Sequence, residues 1–161
     1  VSLNPQAKPT LRGDDDIQIR ISANPGLPPG PLKKIASGGE LSRISLAIKV
    51  AASSGSESIT QIFDEVDAGI GGETAIAVGK LMKRLASDGQ ALCVTHLAQV
   101  AVCASHQLQV RKATGKDSTQ VDTALLDKDG RIEEIARMLS GKISDQSRAH
   151  AIELLTAGSV T

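Results

Sequence analysis

At 161 residues the chain has the length of one domain, enough to bury a real core. Its 18 Lys and Arg balance 18 Asp and Glu, so no overall basic field draws it to nucleic acid, and any such contact must be local. The single aromatic residue, Phe63, leaves no stacking platforms of the kind single-strand binders use. Cys93 and Cys103 form no C-x-x-C pair and lie in apolar surroundings, which argues against a metal knuckle or disulfide framework and fits a reducing cytosol. No apolar run approaches the about 20 residues of a membrane helix, and the N-terminus does not read as a signal peptide, so a soluble cytoplasmic protein is expected.

Residues 1–16 carry Pro5, Pro9, Gly13 and the acidic run Asp14 to Asp16, the composition of a flexible, solvated lead-in. Ile17, Ile19 and Ile21 alternate with polar residues, which predicts a half-buried strand and places the start of the folded unit, 17–161, at residue 17. From Asn24 to Pro31, four prolines and two glycines predict a loop without regular structure.

The stretch from Lys33 to Asp67 organises the rest. Ser37 and Glu40 in SGGELSR have the S-x-x-E spacing of a capping box, opening a helix whose apolar face reads Leu41, Ile44, Ile48 and Ala51 and which stops at Ser54 and Gly55. A cap alone does not require Gly38 and Gly39, each costing about 1 kcal/mol against alanine in a helix, whereas close approach of an anion to the helix N-terminus would. Ile59 to Phe63 reads as a buried strand despite Thr60 and Gln61, and it ends in the adjacent carboxylates Asp64 and Glu65. Residues at neighbouring positions there address different targets, one suited to a metal and the other to orienting a water. An isolated Asp-Glu pair is more simply a solvated strand end. The apolar run before it and the glycine-rich Asp67 to Gly72 after it favour the functional reading.

A helix follows with Ala75, Val78, Met82 and Leu85 on one stripe, Met82 being core filler. Asp88 and Gly89 turn the chain into the strand Ala91 to Thr95, which delivers His96 at its carboxyl end, the edge where ligands collect in open α/β sheets. A lone histidine is more often structural, but His96 stands just past a strand as Asp64 and Glu65 do. A short helix follows from Leu97 to Ala104. Gln107 to Lys112 and Val121 to Leu125 alternate as an antiparallel hairpin turning at Gly115 to Asp117. Two helices close the chain, one ended by Gly141 and one begun after Ser144. His106 and His150 read as structural or solvated.

No G-x-x-x-x-G-K-[ST] phosphate loop is present in the sequence. Its nearest decoy, Gly79-Lys80, has Thr74 at the first glycine position and Leu81 at the hydroxyl position, inside a helical pattern. The chain therefore carries carboxylates for metal and water without a lysine-bearing cradle for phosphates, as half of a nucleotide site would.

SGGELSR resembles the signature motif of ATP-binding-cassette ATPases, IFDE their Walker B, Val66-Asp67 with the following glycines the D-loop, and Thr95-His96 the switch histidine. The fuller pattern KKIASGGELSRISLAIKV, IFDEVDAGIGG and VTHLAQVA is similar to the C-terminal head segment of the RecN family, bacterial recombination and repair proteins related to structural-maintenance-of-chromosomes (SMC) proteins. Glu40, where transporter cassettes commonly have glutamine, favours that branch.

The resemblance implies an α/β fold, the C-terminal half of a P-loop NTPase head with a mostly parallel sheet flanked by helices and an antiparallel hairpin at one side. It implies ATP and Mg²⁺ as cofactors, a Walker A-containing N-terminal head segment and a second head as partners, DNA as the object of repair, and no membrane. It further implies that Asp64 holds Mg²⁺ through water, Glu65 polarises the attacking water, and His96 senses the γ-phosphate. Ser37, Gly38, Gly39 and Glu40 would serve the nucleotide of the second head, and Asp67 would communicate across the dimer. This chain alone would then hydrolyse no ATP. A transporter motor and a non-catalytic dimerisation module are the alternative readings.

Overall fold

The computed structural model describes residues 1–11, 13–22, 26–32, 37–52, 60–87, 89–114 and 119–159. The expected helix stop at Ser54 and Gly55, the hairpin turn at Gly115 to Asp117, Asp88, and Ile59 at the head of its strand lie outside them.

The unit that positions the site is a strand–helix–strand arrangement beneath a long helix. Helix α1 (Gly38–Ala52) leads towards β5 (Thr60–Phe63), α2 (Gly72–Leu85) crosses over, and β6 (Gln90–Cys93) pairs parallel with β5, Ile62 opposite Leu92 and Phe63 opposite Cys93. Parallel strands cannot be joined by a tight turn, so a helical crossover is what the connection requires. On α2 the expected stripe Ala75, Val78, Met82 and Leu85 is buried, and with Leu46, Phe63, Val66 and Val100 it forms one core. Gly79, half of the phosphate-loop decoy, sits mid-helix where an added Cβ would lie 2.7 Å from Cys103 Sγ, so this glycine serves close helix packing.

A second core joins the short helix α3 (Ala98–Ala101), α4 (Lys128–Ser140) and α5 (Asp145–Ser159) through Ala98, Ala101, Val102, Ile135, Ala136 and Ala151. Asp127 caps α4 by accepting from Gly130 N–H at 2.7 Å, and Gly141, with φ 71°, ends it in the left-handed conformation that favours glycine. His106 and His150 are exposed. The strands β7 (Leu108–Thr114) and β8 (Thr119–Leu125) form the expected antiparallel hairpin, tied to α4 where Gln109 Nε2 donates to Glu134, which also pairs with Arg137 at 2.7 Å.

Four expectations change. Residues 1–16 are largely solvated, yet β1 (Ser2–Thr10) and β2 (Gly13–Gln18) pair antiparallel. Strand signals were masked there by prolines and an acidic run, which an exposed hairpin tolerates. Ile17 and Ile19 are exposed rather than half-buried, and Ile21 belongs to a separate two-residue ladder in which β3 (Arg20–Ile21) meets β4 (Gly30–Pro31), inside the stretch read as irregular.

The α1 face that packs inward carries Gly39, Leu46 and the half-buried Val50, whereas Leu41, Ile48 and Ala51 of the expected stripe are exposed. Nor do the described residues join into one mostly parallel sheet. Among the described residues there are four two-stranded ladders, of which only β5–β6 is parallel. Parallel strands are ordinarily covered on both faces. Here Phe63, Ala91 and Cys93 face the core, while Ile62, Leu92 and Val94 form an exposed apolar face, Ile62 being 72% accessible.

Candidate functional site

Ser37 and Glu40 form the capping box that their spacing predicts. Ser37 N–H donates to Glu40 Oε2 at 2.8 Å, the Ser37 hydroxyl lies 3.2 Å from the same oxygen, and Glu40 N–H donates back to Ser37 Oγ at 3.4 Å. The Ser37 N–H, followed by its hydroxyl, holds the Glu40 carboxyl below the ordinary carboxylate range.

Of the two glycines, Gly39 is a packing requirement. Gly39 is buried, and a Cβ on it would lie 2.9 Å from Ala68 Cβ and 3.0 Å from Ala68 O. One residue-turn further on, Arg43 Nη1 donates to Ala68 O at 2.8 Å and Val66 O at 3.3 Å, so α1 is bolted to the loop after β5. Sequence reasoning assigned Arg43 no role. Its place in SGGELSR, four residues beyond Gly39 on the same helix face, was the available signal. Gly38 meets Glu65 instead, a Cβ there lying 3.2 Å from Glu65 Oε2. The carboxylate thus sits beside the N-terminal turn of α1, where the helix dipole favours an anion. The two ends of the stretch, expected to serve different nucleotides, are neighbours.

Glu65 has φ 59°, a left-handed conformation uncommon for a residue with a side chain and of the kind that clusters at functional sites. The turn is secured by Ala68 N–H donating to Glu65 O at 3.1 Å and by fully buried Val66. Asp64 is exposed at the strand end, its Oδ1 accepting from Glu65 N–H at 2.9 Å. No three His, Cys, Asp or Glu side chains gather to hold a metal ion among the described residues. The donor set, one accessible carboxylate, nonetheless fits Mg²⁺, which keeps several waters and takes one or two carboxylates together with phosphate oxygens.

Asp67 lies inward. It is 3% exposed, and its Oδ2 accepts from the Thr95 hydroxyl at 2.6 Å and from His96 N–H at 3.0 Å, with His96 Nδ1 at 3.1 Å. Burial opposes its ionisation, but these hydrogen bonds and the neighbouring imidazole outweigh burial and leave its carboxyl below the ordinary aspartate range. Thr95 Oγ1 also accepts from Leu97 N–H at 3.0 Å, so this one hydroxyl joins both loops. Nearby, burial pushes the Cys93 thiol up to about 11, with the Asp67 and Asp64 carboxylates adding to the effect, which keeps it an unreactive thiol.

Asp64, Glu65, Asp67 and His96 therefore gather at the carboxyl end of β5 and β6, and the N-terminus of α1 lies beside Glu65. No described helix is long and apolar enough to cross a membrane.

No protein-family model matches the chain. Among curated proteins, it is 49% identical over 154 residues to the DNA repair protein RecN of Deinococcus radiodurans, covering 96% of this chain and 27% of the relative. It is 49% identical over 146 residues to the DNA repair protein RecN of Vibrio cholerae, covering 90% and 26%, and 49% identical over 147 residues to that of Treponema pallidum, covering 91% and 26%. A solved chain described under "Structural biochemistry of ATP-driven dimerization and DNA stimulated activation of SMC ATPases" aligns with TM-score 0.47 and 19% identity, over 74% of this chain and 70% of that one. The chain spans about a quarter of the length of the curated relatives it matches. It belongs, as a segment of that extent, to the RecN family.

Proposed function

We propose that residues 17–161 form the C-terminal lobe of an SMC-like ATPase head, preceded by the 1–16 segment, which couples ATP binding, hydrolysis and head dimerisation to DNA double-strand-break repair in the bacterial cytoplasm. The observation that carries this reading is the gathering of Asp64, Glu65, Asp67 and His96 at one end of the parallel pair, without a phosphate-loop lysine in the chain. Such a site is chemically half complete. The exposed apolar face of Ile62, Leu92 and Val94 supports a partner that completes it, a Walker A-containing N-terminal head segment.

Bound Mg²⁺ would neutralise charge on the phosphate oxygens, with Asp64 holding it through water. Glu65 accepts a proton from the attacking water, and His96 presents its outer nitrogen towards the terminal phosphate. Ser37 and Gly38, at the exposed start of α1, would meet the ATP of a second head, while Gly39 and Glu40 serve that contact by shaping the turn. A phosphate arriving there repels the Glu65 carboxylate from Gly38, which ties release of the base to head association.

The reading is tested by steady-state ATP turnover of the full-length protein with and without linear double-stranded DNA. Turnover that rises on DNA addition is expected. Nucleotide-dependent dimerisation with no turnover under either condition would favour a non-catalytic module instead.

A further inference from the structure

We propose that Asp67 is a positioning residue that holds the His96 imidazole in the tautomer protonated on Nδ1, so that Nε2 is the nitrogen offered to ligand. The inference rests on the ATPase reading for its consequence, though not for its geometry.

The two side chains differ sharply in environment. Asp67 has a side-chain exposure of 4%, whereas that of His96 is 73%, so the imidazole projects into solvent with one ring atom, Nδ1, 3.1 Å from Asp67 Oδ2. An ionised carboxylate only accepts hydrogen bonds, so the nitrogen facing it must carry the proton. Ring reversal would put a ring carbon where Nδ1 faces the carboxylate and lose that contact, while His96 N–H, donating to the same oxygen at 3.0 Å, fixes the backbone from which the ring departs. The same oxygen also accepts from the Thr95 hydroxyl at 2.6 Å, a contact separate from the two it makes with His96.

Folding alone would be served by the Thr95 and His96 backbone contacts. Immobilising an exposed imidazole costs side-chain entropy, and what it secures is a defined outward nitrogen. Neutral, Nε2 accepts a hydrogen bond from a water or a protonated ligand. Charged, it donates to a phosphate oxygen, with Asp67 balancing the imidazolium from behind. Asp67 thereby acts on the ligand through His96, within its own chain.

Magic-angle-spinning ¹⁵N spectra of the histidine-labelled full-length protein, with the His96 signals identified by their loss in H96Q, test this directly. The wild type is expected to show His96 protonated on Nδ1 in its neutral form, and Asp67→Asn, whose amide can donate, to shift the population towards the Nε2-protonated form. Thr95→Val, which leaves the carboxylate in place, is expected to retain the wild-type tautomer and decides the matter if Asp67→Asn fails to fold. An Nε2-protonated wild type, a folded Asp67→Asn protein with an unchanged tautomer, or a changed tautomer in Thr95→Val would each overturn the proposal. In parallel, Asp67→Asn is expected to lower kcat with little change in KM, by about the 10- to 100-fold that losing the orienting partner of a metal-bound histidine costs. If the wild type hydrolyses no ATP, the ATPase reading fails while the tautomer result still stands or falls separately.

Discussion

Glu65→Gln in the full-length protein is expected to lower ATP turnover about 10²–10⁴-fold, the usual contribution of a positioned general base. ATP affinity is expected to stay near the wild-type value and the ATP-bound dimer to persist longer, as followed by equilibrium nucleotide binding and by light scattering. The amide keeps the size of the side chain beside Gly38 but cannot take a proton from water. It also removes the charge that sits at the N-terminus of α1. An equal loss of turnover and affinity would instead make Glu65 a binding residue.

The second large effect is expected at the exposed sheet face, far simpler in chemistry. Ile62→Lys places an ammonium group at a position that is 72% accessible in this chain, so the stability of the chain itself is expected to change by no more than about 0.5 kcal/mol in thermal unfolding. Association with a completing head segment is another matter. A charge buried there without a partner costs several kcal/mol, so binding by titration calorimetry is expected to weaken by about 100-fold or more. Unchanged association would mean that this face stays in water when the head is assembled.

How much of this was legible in the sequence depended on whether a residue's role was local. The α2 stripe from Ala75 to Leu85 was readable because α2 contributes a single apolar stripe to one core. The capping box of Ser37 and Glu40 needed only three residues of spacing. The stripe on α1 was misread because the helix carries apolar side chains on two faces, and periodicity cannot say which one this chain covers. Leu46 and Val50 go inward, while Leu41 and Ile48 stay exposed.

The same holds for β5, whose two apolar faces predict burial but receive a cover on one side only. The packing need at Gly39 comes from Ala68, distant in sequence, so local spacing does not show it, and Gly38 lies beside the equally distant Glu65. The Asp67–His96 contact spans 29 positions and joins two loops, so motif spacing could name both residues without showing that they touch.

The central claim is that this chain supplies one half of a nucleotide site and needs the other half from outside. Its most direct test is ATP turnover by the purified chain, alone and after mixing with a Walker A-containing head segment of the same protein. No turnover by either component and measurable turnover by the mixture, lost with Glu65→Gln, is the predicted result. Turnover by this chain alone that Glu65→Gln abolishes would contradict the claim.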